Sequence, residues 1–514
     1  MSKTIIIIGA GLAGVSAALQ AAENGCNVKL VSSLPSERAQ SVMAEGGINA
    51  ALNTKDENDS PEEHFTDTIK AACGLADPNA VWGMTQAAPE LVHWLLKLGV
   101  KFNMSGYDDV DLRNFGGQKK KRTAFAQSDT GKQIMTAMID AVRRKEASGM
   151  VERFSHHSFL TLRLCGNICC GCVIRDEYSQ ETVELPGDAV IVATGGMHGL
   201  FGNTTGSLSN TGEVTAELFR LGVPLANGEM IQYHPTTVKC GGKRMLISEA
   251  ARGEGGRLFA MKDGKQWYFM EEKYPELGNL MPRDITAREI WKVSHESEVF
   301  LDMTEISEEI ISNKLSGLAD DCMTYLHKDI RKEPVSVLPG IHYFMGGILV
   351  DEQHRTPIQN LYAAGECCAQ YHGANRLGGN SLLGALYGGR VAAKSACEQA
   401  DVVDLSCATQ IDFPPASQIS EIKQLNKVMQ ETMGVVRNEN TLLNGIQTVQ
   451  ALTGNLPLLG MAVLKSALAR KESRGAHWRE DYPKSNDDDY LKTTVARFDG
   501  KQIQISFVPV PERR

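Results

Sequence analysis

A strand, a glycine-rich turn, a helix and a second strand occupy one short stretch near the start of the chain, "IIIIGAGLAGVSAALQAAENGCNVKLVSS" (5–33). Within it, Gly9, Gly11 and Gly14 complete the pattern G-x-G-x-x-G between two apolar segments. The first glycine of this pattern allows a tight turn, the second admits a pyrophosphate, and the third lets the helix approach the sheet, while the helix N-terminus attracts phosphate. The stretch therefore predicts a Rossmann-like α/β domain that binds a dinucleotide.

The second strand departs from this pattern where it ends. It closes with Ser32 and Ser33 at the place where an acidic residue usually binds the ribose. Serine hydroxyls can still bond the sugar, so we expect the site to be retained while the identity of the dinucleotide stays open.

Two further apolar runs, "DAVIVATGG" (188–196) and "IQNLYAAGEC" (358–367), predict buried strands of the same sheet. A helix is expected after the second of them. Because these strands are far apart in the chain, the nucleotide domain must be built from separated pieces. Something is therefore inserted between about 236 and 340, and such an insertion can close over a ligand.

The overall charge and hydropathy exclude several classes of partner. A net charge of −9 and a pI near 5.8 give no general attraction for nucleic acid or anionic lipid. The basic run "QKKKR" (118–122) reads as a solvated loop. The chain opens without a leader of the secretory type, and it contains no run of about 18 apolar residues. We therefore expect a cytoplasmic protein whose membrane contact, where there is one, comes through partner subunits.

The densest group of cysteines lies in "RLCGNICCGCVIRD" (163–176), which contains Cys165, Cys169, Cys170 and Cys172. Metal thiolates are one interpretation. The segment alternates like a hairpin with Gly-Asn at its turn, however, and it has neither a paired zinc spacing nor a ferredoxin spacing. We expect reduced thiols packed in a strand pair, and no metal site.

A series of motifs follows in order along nearly the whole chain. They are "GAGLAG", "AEGGINAAL" (44–52), "NFGGQKKKRTAFAQSDTG" (114–131), "QYHPT", "SEAARGEGG" (248–256), "PRD" (282–284), "HYFMGG" (342–347), "AAGE", "HGANRLGGNSLL" and "KESRGAHWREDYPKSNDDDYLKTTV" (471–495). With these motifs the chain resembles the flavoprotein subunits of succinate dehydrogenase and fumarate reductase. The resemblance implies FAD at the first glycine motif, with a capping domain that closes a dicarboxylate against the flavin.

The resemblance fixes the expected fold class and domain order. We expect an α/β fold with a Rossmann-like FAD-binding domain, an inserted α+β capping domain and a C-terminal helical domain. The FAD-binding domain comprises residues 1–235 and 341–405, the capping domain 236–340, and the helical domain with its tail 406–514. The residues expected at the cofactor are Gly9, Gly11, Gly14, Ser32, Gln40, Ser41, Gly46, Gly47, Ala193, Thr194, Gly195, Glu366, Ser381 and Leu382.

The family pattern also implies roles for residues at the substrate. His234 and His342 would bind substrate carboxylates, Ser248 would supply a hydroxyl, and Arg376 would clamp a carboxylate. Independently of the family, a four-carbon dianion needs donors at each end, and planar guanidinium binds carboxylate through two bonds. A satisfied core histidine is the alternative for either imidazole. Metal binding is disfavoured because neither histidine has a partner at the usual helical spacing.

Arg283 takes the family's proton-donor position, with Glu249 and Asp284 matching its relay. The implied reaction transfers a hydride from N5 of reduced flavin to one alkene carbon of fumarate and a proton to the other. Because guanidinium is normally permanently protonated, an arginine that gives up a proton must be refilled by neighbours. An Arg–Asp pair that only orders the capping domain is the alternative.

Phe115 distinguishes between relatives within the resemblance. L-aspartate oxidases typically have an acid at this position, which meets the substrate amino group. An apolar ring offers no partner to a buried ammonium, whose burial would cost several kcal/mol. Phe115 therefore favours fumarate or succinate, with L-aspartate or another unsaturated carboxylate as the alternatives.

Gln40 occupies the position where membrane-bound relatives usually join FAD covalently to a histidine. An amide cannot form that bond, so we expect non-covalent FAD. In the family, loss of the covalent link impairs succinate oxidation more than fumarate reduction, so Gln40 favours the fumarate-reducing direction.

The chain shows no iron–sulfur or haem motif of its own. The resemblance implies a separate iron–sulfur subunit and a membrane anchor beyond it, with a free enzyme using a soluble donor as the alternative. Helix-like spacing over 415–475 predicts a small antiparallel bundle. A flavin-binding scaffold without chemistry is disfavoured because the expected catalytic positions are all filled.

Overall fold

The centre of the nucleotide-binding unit is a five-stranded parallel sheet. The computed structural model describes residues 2–106, 109–401, 411, 413 and 418–514. Residues Ile5 to Ile7 are fully buried, as expected of a strand covered on both faces. The sheet confirms the strands expected near 5, 188 and 358. Its order is Leu361–Ala363, Ala189–Val192, Thr4–Ile8, Asn27–Ser32 and Val151–Ser155.

Two helices pack tightly against each other beside this sheet, Leu12–Glu23 and Asn380–Gln399. A Cβ added at Gly389 would lie 2.3 Å from Ala13 O, so glycine permits this close approach. The second helix comes from the expected second part of the FAD-binding domain. Further helices of this unit are Pro61–Ala71, Pro78–Leu98, Thr130–Ala147 and Glu213–Arg220.

A small antiparallel sheet beside the parallel one contains the cysteine-rich segment. Strands His157–Cys165 and Ile168–Asp176 form the predicted hairpin, and Thr182–Pro186 pairs with the second of them. Cys169, Cys170 and Cys172 are buried free thiols. Cys165, by contrast, is disulfide-bonded, so the expectation of reduced thiols is wrong at this position. The hairpin pattern predicted the strand that contains Cys165, but it could not predict that its sulfur forms a disulfide.

The inserted segment begins and ends in one three-stranded antiparallel sheet. Its strands are Lys243–Leu246, Ile231–Cys240 and Leu338–Phe344, in that order. Beyond it lies a four-stranded sheet of Lys265–Trp267, Arg257–Lys262, Val299–Asp302 and Val335–Ser336. The helices of this segment are Glu249–Gly253, Phe269–Lys273, Arg283–Val293, Glu308–Lys314 and Ser316–Asp321.

The C-terminal region combines the expected helices with strands that were not foreseen. Helices Ile419–Thr432, Glu439–Val449 and Asn455–Ala469 pack together. Strands Lys492–Phe498 and Ile503–Pro509 then form a hairpin, whose first strand pairs with Leu225–Ala226. The β-branched, alternating residues of these strands favour β-structure, and the helix-like spacing of the sequence covers only 415–475. The expected boundary at 405/406 lies outside the described residues.

Two surface features bear on the expectations about partners. In the "QKKKR" run, Lys121 forms an ion pair with Glu57, and the Lys120 ammonium donates to the Glu57 carbonyl. Acidic neighbours therefore offset part of the local positive charge. In the described part of the chain, no helix has both the length and the apolar character needed to cross a bilayer.

Candidate active site

A cavity of about 1370 Å³ lies between the carboxyl edge of the parallel sheet and the inserted segment. It extends from the first glycine turn to the paired strands that carry His234 and His342. Of the residues expected at cofactor or substrate, only Gly14 and Asp284 do not line it. Those that line it are Gly9, Gly11, Ser32, Gln40, Ser41, Gly46, Gly47, Phe115, Ala193, Thr194, Gly195, His234, Ser248, Glu249, Arg283, His342, Glu366, Arg376, Ser381 and Leu382.

The glycine turn forms one end of the cavity. Gly9 has φ +109°, and a Cβ there would lie 2.3 Å from Ala193 O. A Cβ at Gly14 would lie 1.8 Å from Gly9 O, so Gly14 packs under the turn rather than lining the cavity. Both positions therefore require glycine, as the sequence pattern predicted.

The polar groups at this end fit an adenine dinucleotide. The helix Leu12–Glu23 begins at the cavity without a side-chain cap from Gly11, and its Leu12 amide donates to Ser41 Oγ at 3.2 Å. The N-terminus of a helix attracts phosphate. Ser32 is 8 % exposed, and its hydroxyl has no partner within the described residues. A buried hydroxyl without a partner is unfavourable, and a ribose hydroxyl would satisfy it. The residues present thus fit the ADP part of FAD.

Gln40 and Glu366 lie along the middle of the cavity with bonds to neighbouring loops. Gln40 Oε1 accepts a hydrogen bond from Ser207 N at 2.5 Å. Glu366 Oε1 accepts from Phe344 N at 3.1 Å and lies 3.6 Å from His198 Nε2. The Gln40 amide is thus occupied in fixing the loop at Ser207.

His234 and His342 lie side by side at the other end of the cavity, on the paired strands that begin and end the inserted segment. Their rings are 5.1 Å apart and nearly perpendicular. His234 Nδ1 lies 3.1 Å from Thr236 O, and its Nε2 has no partner within the described residues. His342 Nδ1 lies 2.8 Å from Thr205 Oγ1.

The electrostatic environment keeps both imidazoles neutral. Burial, together with Arg283 and His342, holds the pKa of His234 well below its ordinary value. Burial, Arg283 and Arg376 do the same for the pKa of His342. At neutral pH each ring is therefore a single hydrogen-bond donor and a single acceptor.

Arg283 begins the helix Arg283–Val293 and is 6 % exposed. Its Nε and Nη2 both contact Glu249 Oε2, at 2.7 and 2.6 Å. Glu249 Oε1 accepts from Gly116 N at 3.0 Å and lies 3.4 Å from Arg252 Nη2. Burial opposes ionisation of Glu249, but Arg283 and Arg252 keep the pKa of its carboxyl below the ordinary value. The carboxylate is therefore held ionised between two guanidinium groups.

Gln232 joins the two arginines of the site, and this was not foreseen. Its Oε1 accepts from Arg283 Nη1 and from Arg376 Nη2, each at 3.1 Å. Its Nε2 donates to Asn375 Oδ1 at 2.9 Å and to the Arg376 carbonyl at 2.8 Å. Arg376 Nε has no partner within the described residues, and burial with the nearby Arg283 lowers the pKa of Arg376 to about 9. Arg376 thus remains charged at neutral pH with a donor to spare.

Asp284 lies apart from the group that it was expected to serve. Its Oδ1 accepts from Asn375 Nδ2 at 3.0 Å, and the two amides of Asn375 and Gln232 separate it from Arg283. Burial raises the pKa of Asp284, against the opposing effect of Arg288. Adjacency in sequence to Arg283 does not bring the carboxylate to its guanidinium, because successive helix residues point in different directions.

Ser248 and Phe115 are both buried at the wall of the cavity. The Ser248 hydroxyl accepts a hydrogen bond from Ala250 N at 3.4 Å, which makes it the N-cap of a short helix. Phe115 is 2 % exposed, and its ring meets the space that a Cβ at Gly46 or Gly378 would fill. The ring thus presents an apolar surface where an acid would serve an amino substrate.

Three residues were inside the quoted motifs without being given a role: Gln232 in "QYHPT", Arg252 in "SEAARGEGG" and Glu45 in "AEGG". Arg252 is 2 % exposed and donates to the Asn279 carbonyl at 2.6 Å. Glu45 lines the cavity, and burial with the nearby Asp321 raises its pKa to about 8. The motif positions were visible, but only proximity in space shows what these groups contact.

Comparison with known proteins extends these observations. Residues 4–382 match the family described as FAD binding domain, and residues 452–513 match the family described as Fumarate reductase flavoprotein C-term. The chain is 38% identical to the succinate dehydrogenase flavoprotein subunit of Bacillus subtilis, over 100% of this chain and 98% of that protein. It is 32% identical to the 8-methylmenaquinol:fumarate reductase flavoprotein subunit of Wolinella succinogenes, over 100% of this chain and 92% of that protein.

Solved structures show the same likeness over the full chain. E. coli quinol fumarate reductase FrdA superposes with a TM-score of 0.89 at 27% identity, covering 99% of this chain and 97% of that one. Mycobacterium smegmatis Sdh1 superposes with a TM-score of 0.84 at 29% identity, covering 100% of this chain and 95% of that one. The expected family resemblance and fold class are thereby confirmed. The chain belongs to the family of succinate dehydrogenase and fumarate reductase flavoprotein subunits.

Proposed function

We propose that this chain is an FAD-dependent oxidoreductase that interconverts fumarate and succinate at the histidine end of the cavity. The observation that carries the proposal is the charge of the site. Of three buried guanidinium groups, Arg252 and Arg283 pair with the Glu249 carboxylate, whereas Arg376 has no carboxylate within ion-pair distance among the described residues. The excess of two positive charges suits a dicarboxylate dianion. The names of the relatives support the same substrate pair.

The substrate carboxylates would be held by donors that the protein leaves without partners. With its proton on Nε2, His234 can accept from Thr236 N through Nδ1, which lies 3.3 Å away, and donate to a carboxylate. Arg376 offers its free Nε to the other carboxylate, and the Tyr343 ring lies 4.2 Å from its guanidinium carbon. Fixed donors of this kind stabilise charge that develops on a carboxylate during the reaction.

Arg283 is the proposed proton donor. Reduction of fumarate takes up two electrons and two protons, and the guanidinium would deliver one proton to an alkene carbon. The ionised Glu249 would relay the replacement proton, accepting it from the side of Arg252 and passing it to Arg283, because its carboxylate contacts both guanidinium groups. We assign Asp284 to holding Asn375 and, through it, the Gln232 amide that orients both arginines.

FAD, when bound, supplies the two-electron chemistry that these side chains do not have. The first glycine turn, the N-terminus of the first helix and Ser32 would hold its ADP part. Because Gln40 cannot form a histidyl bond, the FAD would be non-covalent. Acid precipitation of the purified protein tests this point: a yellow supernatant is expected, and a yellow pellet would contradict it.

Fumarate reduction by the purified protein with a reduced viologen dye under anaerobic conditions tests the function. We expect dye oxidation that depends on fumarate, with succinate as product, and slower succinate oxidation with an oxidised dye. The Arg283→Gln variant with the same FAD content serves as the control and should be inactive. Full FAD content without fumarate reduction would refute the proposal.

L-aspartate oxidation is the second candidate, because the family's motifs are shared with that activity. The buried Phe115 ring speaks against it, since it offers no partner to an ammonium group. Hydrogen peroxide release with L-aspartate in air, measured on the same preparation, decides between the two. Peroxide release without fumarate reduction would make the aspartate activity the correct one.

A separate iron–sulfur subunit is the proposed source of electrons. Relatives are named as flavoprotein subunits, which supports a multi-subunit assembly. Such a partner could also bring the chain to the inner face of the cytoplasmic membrane. Purification of the tagged chain from its own cells, followed by iron and acid-labile sulfide analysis, tests this. FAD-containing protein that is fully active with its cellular donor but free of iron would contradict it.

A further inference from the structure

Arg244 is an arginine of the cavity wall for which the reaction described above has no use. Its Nε donates to Thr237 Oγ1 at 2.5 Å, and its Nη2 lies 3.3 Å from the carbonyl oxygens of Thr237 and Leu338. A Cβ at Gly340 would lie 2.6 Å from Arg244 Nε, so the absence of a side chain at Gly340 makes room for the guanidinium. These hydrogen bonds therefore fix the position of the Arg244 guanidinium.

This anchored guanidinium lies close to the substrate end of the cavity. Gly340, over which it packs, pairs directly with His234 across the sheet. The backbone amide of Arg244 donates to Thr204 O at 3.2 Å, and the neighbouring Thr205 hydrogen-bonds His342. Leu338, which anchors the guanidinium, is 45% exposed. Arg244 thus stands on the cavity wall between solvent and the paired imidazoles.

The charge of Arg244 is not compensated by a neighbouring acid. Among the described residues, no carboxylate lies within ion-pair distance of Arg244, and its Nη1 has no hydrogen bond to any of them. Burial lowers its pKa, which reflects the cost of keeping a cation at this half-buried place. A fixed cation without a counter-charge, in a cavity with room for an anion, is a ready carboxylate contact.

Three acids that line the same cavity, Glu45, Asp129 and Asp321, form a separate group. Asp321 and Asp129 raise the pKa of Glu45, whereas none of the three acts on Arg244. A dianion that enters the cavity is therefore repelled by the ionised members of this group and attracted on the side of Arg244.

We propose that Arg244 forms an anion-binding subsite at the mouth of the cavity, which takes a carboxylate of the dicarboxylate on its way to and from His234 and Arg376. The subsite acts on entry and binding and leaves the chemical step to Arg283. This inference rests on the proposed dicarboxylate substrate. A cation at the mouth raises the rate of encounter with a dianion, and salt screens the effect.

The experiment compares Arg244→Gln with the wild type as FAD-containing proteins, in steady-state fumarate reduction and in malonate titrations followed by the flavin absorbance spectrum. At about 0.01 M ionic strength we expect KM for fumarate and Kd for malonate to rise about 5-fold, with kcat unchanged. At about 1 M the two proteins should converge, because charges beyond about 3 Å are then screened. Lys262→Gln, which removes an exposed charge from the same inserted segment outside the cavity, should match the wild type.

Arg244→Lys separates charge from anchoring and remains informative if Arg244→Gln does not fold. It keeps the charge but cannot reproduce the guanidinium bonds, so its KM should stay within about 2-fold of the wild type and keep its salt dependence. Equal losses in the Lys and Gln variants, an unchanged KM in Arg244→Gln at low salt, or a fall in kcat alone would overturn the proposal. If the wild type binds malonate with the expected salt dependence but does not reduce fumarate, the subsite stands and the proposed reaction fails.

Discussion

Two groups of buried arginines in this molecule differ in how their charge is balanced. The C-terminal cluster consists of Arg437, Arg470, Arg474 and Arg479, and it has four acids within or beside it, Glu229, Glu472, Asp481 and Asp487. Arg470 is fully enclosed, with bonds to two of these carboxylates, to two carbonyl groups and to the Thr494 hydroxyl. The site cluster consists of Arg252, Arg283 and Arg376, with Glu249 as its carboxylate.

The difference distinguishes a cluster that stabilises the fold from one that can bind an anionic ligand. Burying a charge is costly unless it is compensated, so a cluster whose four arginines are matched in number by four acids can hold the helices and the terminal hairpin together. Arg437 Nη2 and Glu229 Oε2 have no partner among the described residues, so the two clusters differ in the balance of charge rather than in the satisfaction of every bond. The site cluster keeps two charges in excess, and it also has unpartnered atoms on Arg376 and His234. We infer that this deficit is retained because a dianionic ligand fills it.

Arg283→Gln should produce the largest effect and tests whether the site cluster carries the chemistry. Loss of the proton donor is expected to lower kcat for fumarate about 10³-fold, in the range of general acid catalysis. FAD content should not change, because the glycine turn and Ser32 lie at the other end of the cavity. The control is Arg288→Gln on the same helix, whose guanidinium lies 4.0 Å from the Trp478 ring centre and outside the cavity. Equal losses in both variants would mean that the helix, not the proton donor, had been damaged.

Glu472→Gln tests the other cluster through stability. Glu472 is fully buried between Arg470 and Arg474, and removing its charge leaves both guanidiniums short of a partner. The free energy of unfolding should fall by about 3 to 5 kcal/mol, while KM for fumarate stays the same. Asp481→Asn removes a carboxylate that is 27% exposed, so water can reach the site and the loss should be smaller than that of Glu472→Gln. Chemical denaturation measures both, and a change in KM would show that the two clusters are not independent.

Glu249→Gln removes the carboxylate of the site cluster and tests what that charge contributes. Because Glu249 is the carboxylate that bonds Arg283, kcat should fall about 10²-fold. Binding of malonate should not weaken, since the variant has one negative charge fewer in the site. The unliganded variant should be less stable, and malonate should restore part of the loss. Weaker malonate binding would indicate that Glu249 mainly orients the guanidinium for the substrate.

The smallest expected effect is on KM for fumarate and comes from the ionisation of Glu45, a carboxyl group that lines the cavity. Its pKa of about 8 leaves it mostly neutral at pH 7, so it does not cancel the excess positive charge. Between about pH 7 and about pH 9 it ionises, and KM for fumarate should rise a few-fold. Glu45→Gln should flatten that rise, whereas Glu57→Gln, which removes a partly exposed carboxylate outside the cavity, should not.

The same shift has a consequence for stability with a definite sign. The folded protein keeps a proton on Glu45 between the ordinary pKa of 4.5 and about 8, while the unfolded chain has lost it. The free energy of unfolding therefore falls as pH rises through this window, by up to about 1.4 kcal/mol per pH unit. Glu45→Gln should remove this part of the pH dependence. An unchanged slope would show that Glu45 is ionised in the folded protein.

Much of the fold could be predicted because local chemistry dictated it. Gly9 and Gly14 are required by close backbone contacts, and the apolar runs at 5–8 and 189–192 form strands buried on both faces. The Gly-Asn turn correctly predicted a hairpin. The tail was harder, since Lys492–Phe498 pairs with Leu225–Ala226, more than 250 positions away in the chain.

The site was predicted as a set of residues but not as a set of contacts. Sequence alone selected His234, Arg283 and Arg376, which line one cavity. It did not show that Gln232 joins the two arginines, or that Asp284 bonds Asn375. It also did not foresee the disulfide at Cys165.

By itself, the sequence determined the nucleotide turn, several strands of the parallel sheet and the family of the chain. These follow from neighbours along the backbone, where glycine conformation and apolar periodicity act over a few residues. The tertiary structure alone decided which arginines are balanced and which are not. Charge compensation depends on distances between side chains that the chain brings together from remote segments, and those distances set the electrostatic energy.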